Sequence, residues 1–339
     1  MTTFNVTFVN VLTLLSMIGA ASAARADVVS SEPTESVTST PAAPEALEAS
    51  TTSPRYSLPW QLRPVMTDSM VAIDTAAAVF NDAQGNVDIA VPTVFAASYQ
   101  LTSHWAPTIR LGFVGNNAPG AALDGTAFAN PLLGAAYARA LGRYRLALFG
   151  ATTIPIGTGG GDAPNLQAAE TNAAAIAARP ADAAMFAVNY LAAIAGADLA
   201  YVGHGFTAQG EMTLLQFVRV RGGDGGGATD ALRAQAAVGL HLGYFFGSHF
   251  SLSSDLNYRR WLSHPTTLGA SAGARVTFSD ASMNTTTVAV GPRVHFRVGR
   301  SGWIRPGVSF VRGIDARGFG APLIASQTTA VQLDVAVTF

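Results

Sequence analysis

The sequence predicts an all-β fold: a transmembrane antiparallel β-barrel of about twelve strands, with a short helical insertion in one extracellular loop. Three observations carry this. Only 12% of the 339 residues are charged and mean hydropathy is +0.29, against about 25% charged in an average soluble domain. After Trp60 no apolar run is long enough to cross a bilayer as a helix. Long segments instead alternate apolar and polar residues with period two, as strands do when they show one face to lipid and the other to a lumen.

Residues 4–20, FNVTFVNVLTLLSMIGA, lead into the small-x-small sites Ala21-Ser22-Ala23 and Ala24-Arg25-Ala26. Residues 1–26 are therefore expected to be a secretory signal peptide, although no Lys or Arg precedes the apolar stretch. Residues 27–58 are rich in Ser, Thr and Pro, with five acids against Arg55. This composition predicts a disordered periplasmic linker, and the barrel domain is expected over 59–339.

Twelve strands are expected at 70–81, 87–104, 106–116, 127–141, 143–156, 190–204, 206–221, 232–247, 249–265, 282–299, 302–315 and 328–339. The C-terminal strand shows the pattern: Val331, Leu333, Val335, Val337 and Phe339 on one face, Gln332, Asp334, Ala336 and Thr338 on the other. Long and short connections alternate along the chain, which matches short periplasmic turns and long extracellular loops. Trp105, Tyr144, Phe206, Tyr244, Phe246, Phe250, Trp303 and Phe339 gather at the short-turn side, where an aromatic girdle is expected. A terminal Phe339 after an alternating strand also resembles the signal read by the outer-membrane barrel assembly machinery, an expected partner beside outer-membrane lipids.

If the apolar face meets lipid, Asp74, Arg110, Arg145, Glu211, Arg219, Arg233, His241, Asp255, Asn257, Arg259, Arg293, His295, Arg297, Arg305 and Asp334 face the lumen. Either they are ion-paired struts, or they line a permeation path with a basic character; the two are compatible. The hairpin carrying Asp255, Asn257 and Arg259 on one strand and Arg293, His295 and Arg297 on the next allows acid–base pairing across it. Twelve strands lie between a filled barrel and an open porin, so a narrow path or pocket is expected. The loop 157–189 contains an Ala-rich run, Asn165–Ala178. Asp162 or Ala163 as cap and Pro164 in the first turn would start a helix that Pro180 ends or kinks. Such a loop either caps the mouth or folds into the lumen.

Other chemistry is weakly supported. The chain has no cysteine, which excludes disulfides and thiolate zinc sites. Net charge is −1, with nothing pointing to nucleic acid. GTGGGD at 157–162 lacks the Lys-Ser/Thr of a nucleotide loop. His249-Phe250-Ser251 has the spacing of a lipid-hydrolase pair, but this topology puts His249 in a turn and Ser251 on the lumen face. His241 and His295 share the lumen face and would have to approach across it to bind a metal; they read instead as hydrogen-bonded spacers. No catalytic residue, metal or cofactor is expected. The alternatives are an outer-membrane barrel enzyme of lipid-hydrolase or protease type, or a structural barrel with a periplasmic interaction arm.

Asn130-Pro131-Leu132-Leu133-Gly134-Ala135-Ala136-Tyr137, then Leu146–Gly150, then Ile154-Pro155-Ile156-Gly157-Thr158-Gly159, resemble the outer-membrane barrels labelled as the MetA pathway of phenol degradation. That family is distantly similar to long-chain fatty acid and aromatic hydrocarbon transporters. Ala136 stands where the family usually has a basic residue before the Tyr. The resemblance covers about 30 residues specifically and the rest only as a barrel. It implies passive transport of small, apolar or aromatic molecules across the outer membrane. It carries over no individual binding residue.

Overall fold

The computed structural model describes residues 56–81, 87–117, 125–162, 165–222, 231–263, 284–299, 302–314 and 328–339. The expected signal peptide, the linker up to residue 55, and parts of the long loops lie outside these residues.

Fourteen strands form one antiparallel sheet: β1 (Met70–Asn81), β2 (Val87–Ser98), β3 (Trp105–Asn117), β4 (Gly125–Phe128), β5 (Leu132–Leu141), β6 (Tyr144–Thr153), β7 (Tyr190–Gly203), β8 (Phe206–Arg219), β9 (Leu232–Phe246), β10 (Phe250–Trp261), β11 (Thr285–Val294), β12 (Phe296–Val298), β13 (Gly302–Gly313) and β14 (Thr329–Thr338). Each pairs with its neighbour around the sheet, and β1 pairs with β14 while β11 pairs with β13, so the sheet closes. Two of the twelve expected strands are divided. The β3–β5 register, Trp105 opposite Tyr137, slips by one residue to the β3–β4 register, Phe113 opposite Phe128. The slip falls at Asn130-Pro131, where proline has no N–H to give a ladder. The β11–β12 break at His295 keeps its register, but the His295 N–H is donated to the His249 carbonyl.

The second expected strand ends early. Tyr99–His104 form a six-residue turn, held by Leu101 and Thr102 N–H groups on the Trp105 carbonyl, rather than the near-direct hairpin expected there. The other described short turns match expectation, and Gly142, Gly205, Gly247 and Gly299 take positive φ in them.

Outward residues are large and apolar: Val238, Leu240, Leu242, Tyr244 and Phe246 on β9 are all exposed, alternating with buried Arg233, Gln235, Ala237 and His241. Apolar side chains facing out on a closed sheet fit lipid, not water. The chain is an outer-membrane β-barrel. At the short-turn end Trp105, Tyr144, Tyr244, Phe246 and Phe250 are exposed and touch in edge-on or tilted pairs, such as Tyr144–Tyr201 at 5.6 Å and Tyr244–Phe246 at 4.9 Å between ring centres. Trp303 lies at the same end, opposite Arg297 and Thr338, and is half-buried.

The helical insertion is α1 (Leu166–Ala178), a 3-10 turn at Pro180–Asp182 and α2 (Ala183–Phe186). The cap is Asn165, not Asp162 or Ala163: its side chain accepts the Ala168 N–H at 3.1 Å. Asn competes well for this position because its oxygen satisfies an orphan amide of the first turn. Pro180 opens the 3-10 turn.

The outward face can be probed at mid-strand. Leu240→Arg places a charge in the lipid belt, at about 2–4 kcal/mol near the midplane. The expected result is a matching drop in unfolding free energy in lipid vesicles and a smaller heat-modifiable fraction, whereas the inward change Thr213→Ser leaves both unaltered.

Candidate permeation path

Twelve strands enclose more space than their own side chains occupy here. Two pieces of chain fill it. From the short-turn end comes a strap, residues 56–67, with Tyr56, Leu58, Trp60, Leu62 and Val65 all buried. Tyr56, Ser57 and Leu58 thus belong to the filled barrel and not to the linker that composition predicted. From the long-loop end comes the 157–189 insertion, whose Met185 and Phe186 are fully buried. The loop folds inward, packing α1 against β1–β4.

Ordering a backbone residue costs about 1–2 kcal/mol, and burying an aliphatic or aromatic side chain contributes roughly 1.5–3 kcal/mol. Fewer than half of the strap residues make that contribution, so apolar burial alone does not hold it. Side chains of the wall supply the rest by meeting the strap's backbone groups. Asp255 accepts the Trp60 and Gln61 N–H groups at 2.8 and 2.7 Å. Glu211 accepts the Arg63 N–H at 2.7 Å and pairs with its guanidinium at 3.1 Å. Thr207 accepts the Ser57 N–H, Arg293 donates to the Leu58 carbonyl at 2.6 Å, and Gln332 donates to the Trp60 carbonyl at 3.1 Å. Tyr56 turns back on the segment, its hydroxyl accepting the Val65 N–H and donating to Gln209 at 2.6 Å. A strap without secondary structure needs such partners because its buried amides have none of their own.

Shape is provided by residues that are small. A Cβ built on Gly243 would lie 2.3 Å from Ser57 Oγ, one on Gly239 2.8 Å from Leu62, and one on Gly307 2.5 Å from the Trp60 ring. Inward alanines, Ala138, Ala147, Ala200 and Ala336, complete the berth around Tyr56, Leu58 and Val65.

The insertion is pinned separately. Asp182 receives Arg110 at 2.6 Å and Arg179 at 2.8 Å, and Arg179 reaches on to Asp74 at 2.7 Å. Burial alone would raise the Asp182 carboxyl; Arg179 and Arg110 outweigh it and hold it below the usual carboxylate range. Asn130, fully buried, donates to the Ala187 and Tyr190 carbonyls, accepts the Gly157 N–H at 2.9 Å, and gives its own N–H to the Met185 carbonyl. The register slip at Asn130-Pro131 turns that side chain to the loop. Arg221 closes the base, donating to the carbonyls of Pro155, Gly157 and Gly160.

The sequence-predicted lumen residues fall into groups. Asp74 and Arg110 hold the insertion, while Glu211, Asp255, Arg293 and Asp334 hold the strap. Arg293 on β11 pairs with Asp334 on β14, reaching over β13, and stacks 4.1 Å from the Trp60 ring centre, so the acid–base pairing allowed between Asp255 and Arg293 does not form. Asp255 pairs instead with His241 at 2.6 Å, both fully buried. His295 meets Ser251 at 2.9 Å; the two histidines do not approach each other as ligands, and among the described residues no cluster suits a metal. Asn257 accepts from Arg259, which also donates to the Ala181 carbonyl at 2.8 Å. Arg233 and Arg145 lie over Tyr190 and Tyr56, 4.9 and 5.2 Å from the ring centres. Arg305 is buried, and Arg219 is half-buried at the end of β8. Arg297 departs from expectation: it is exposed, because it lies past Phe250, where β10 has ended and the wall is only a hairpin. His249 is exposed and bonds Ser248, so no His249–Ser251 pair exists.

Arg63, Arg179, Asp182 and Arg221 carry as much of this geometry as the predicted residues. They lie outside the strands, where alternation gives no signal. A second surprise is the long-loop half of the inner wall. There Val94, Val114, Leu132, Ile194, Leu215 and Phe217 point inward and surround Met185 and Phe186, with Phe149 and Tyr190 against them. The long-loop half of the lumen thus carries an apolar cluster beside its buried Arg233 and Arg259.

No family model matches the chain, and no curated protein matches it. Among solved structures, the COG4313 outer membrane channel from Pseudomonas putida F1 aligns with a TM-score of 0.53 at 13% identity, over 82% of this chain and 97% of that one. This likeness is one of fold. The NanC porin aligns at 0.44 with 10% identity, over 79% and 98% of the two chains, and the TodX monoaromatic hydrocarbon channel at 0.35 with 11%, over 82% and 92%. Those two values are too low to carry an argument.

The berth can be tested by filling it. With Leu58→Cys as a reporter, a maleimide is expected to leave the otherwise native protein unlabelled. Adding Gly243→Val drives a side chain into Ser57, and labelling of residue 58 is expected to rise severalfold while the barrel stays heat-modifiable.

Proposed function

We propose that this barrel is a passive outer-membrane channel for small apolar or aromatic solutes, held closed here by the strap and the inserted loop. The observation that carries this is the apolar chamber in the long-loop half of the lumen. A water-filled pore for polar solutes has no use for inward Leu215, Phe217 and Ile194. A path for apolar solutes does, because it must offer them a surface comparable to the one they leave. In the closed state Met185 and Phe186 occupy that surface, and an entering solute takes their place.

The long loops face outward and the short turns face the periplasm in this reading, following the known asymmetry of such barrels. Solute meets the insertion first and the strap second. The ion pairs Asp182–Arg110 and Asp182–Arg179 set how readily the insertion yields. Removing the carboxylate charge leaves two guanidiniums short of a partner, so Asp182→Asn loosens the loop. The resemblance of the Asn130–Gly159 segment to the phenol-degradation barrels supports the same solute class.

The channel reading is tested by flux. Proteoliposomes carrying the native protein are expected to take up a small aromatic hydrocarbon faster than empty liposomes and to show little ion conductance in planar bilayers. Phe186→Ala is expected to raise aromatic uptake severalfold, and deletion of residues 56–67 to raise ion conductance. Aromatic uptake no faster than through protein-free lipid, in the native protein and in both variants, would sink the proposal.

A further inference from the structure

Several buried polar atoms of the strap and its wall have no hydrogen-bond partner, and three of them stand on two facing residues, Arg305 and His295. Arg305 on β13 is 5% exposed, and its Nε and Nη1 are buried with no hydrogen-bond partner. The Arg293–Gly307 and Phe296–Ile304 pairs bracket the place where His295 and Arg305 stand opposite each other on neighbouring strands. His295 is fully buried and its Nδ1 is likewise without a partner. Its other nitrogen, Nε2, lies 2.9 Å from the Ser251 hydroxyl. The neutral tautomer that accepts from Ser251 at Nε2 carries its proton on Nδ1. In that tautomer three buried donors stand on two facing residues, and none of them meets an acceptor among the described residues.

No acid supplies the missing acceptor. Asp334, on the strand beside Arg305, gives one oxygen to Arg293, and its other oxygen makes no hydrogen bond to Arg305. Asp68 is exposed at the mouth, and no ion pair joins it to Arg305 among the described residues. Arg145 adds positive charge from across the strap, its guanidinium resting over the Tyr56 ring. On the β14 side Arg305 stands opposite Ala336, which offers no polar side-chain atom. Water would satisfy the hydrogen bonds but not the charge, and a buried guanidinium is costly without a counter-ion.

We propose that Arg305 and His295 hold a small free anion, a halide or a monocarboxylate, at the short-turn end of the lumen. The anion completes the wall against which Tyr56 and Leu58 pack, so it also steadies the strap. A carboxylate would suit the guanidinium's paired N–H groups; a halide would suit the limited space beside Phe245, whose ring lies 4.8 Å from that of His295.

Two measurements on the purified full-length protein decide this. Crystals grown in sodium bromide are expected to show an anomalous peak within hydrogen-bond range of Arg305 Nε and His295 Nδ1, and acetate at higher concentration is expected to displace it if carboxylate is the better ligand. In detergent, the unfolding midpoint is expected to rise saturably with chloride or acetate but not with bulky gluconate at equal ionic strength, and Arg305→Gln is expected to abolish that rise. No peak at Arg305, a peak that persists unchanged in Arg305→Gln, or a midpoint that follows ionic strength alone would each overturn the proposal. If Arg305→Gln does not assemble, the wild-type map decides by itself.

Discussion

Everything in this structure descends from one constraint: inside hydrocarbon, every backbone amide and carbonyl must find its partner within the protein. A sheet meets that demand only by closing, which it does here through the β1–β14 and β11–β13 ladders. Closure at twelve strands fixes the enclosed space, and that space is larger than the wall's own side chains fill. The strap and the insertion are answers to the same demand carried inward. Their backbone groups are also cut off from bulk water, and they are met by Asp255, Glu211, Gln332, Asn130 and Arg221 in place of a ladder.

The lumen charges therefore have a more specific duty than propping the wall apart. Asp255 turns one oxygen to His241 and the other to two strap amides. Arg293 engages a carbonyl, a carboxylate and an aromatic face at once. A group used three ways is hard to replace, since any substitution strands the other partners. The two halves of the interior differ accordingly. The short-turn half is a polar lattice around an irregular strap, and the long-loop half adds an apolar cluster that takes in Met185 and Phe186.

Much of the wall is legible from alternation alone. Strands longer than about ten residues with one apolar face leave little freedom in register, and the hairpin glycines mark where they turn. The contents of the lumen are harder to read for a physical reason. The strap has no periodicity, because each of its residues answers to a different wall residue. Its signal lies elsewhere, in the inward glycines Gly239, Gly243 and Gly307, which a wall facing only water would not need. Leu215 and Phe217 escape notice when the inner face is assumed to be polar throughout. Asn130-Pro131 stands out in the sequence only as a resemblance. In the fold it breaks the ladder and offers a buried side chain to the loop.

The strap's position in the chain constrains the order in which the molecule is made. It immediately precedes β1, while the seam that encloses it is formed by β1 and the last strand, β14. The segment is synthesised before any of the wall that binds it, and the ring is sealed only when the final strand docks. Trp60 sits beside that seam: its carbonyl is bonded by Gln332 of β14, and its ring lies on the arginine that grips Asp334. The sealing strand thus recognises the cargo as well as its neighbouring strand. A barrel that closed around nothing would leave those groups of β14 unanswered, so correct enclosure and correct closure are checked by the same residues in one event.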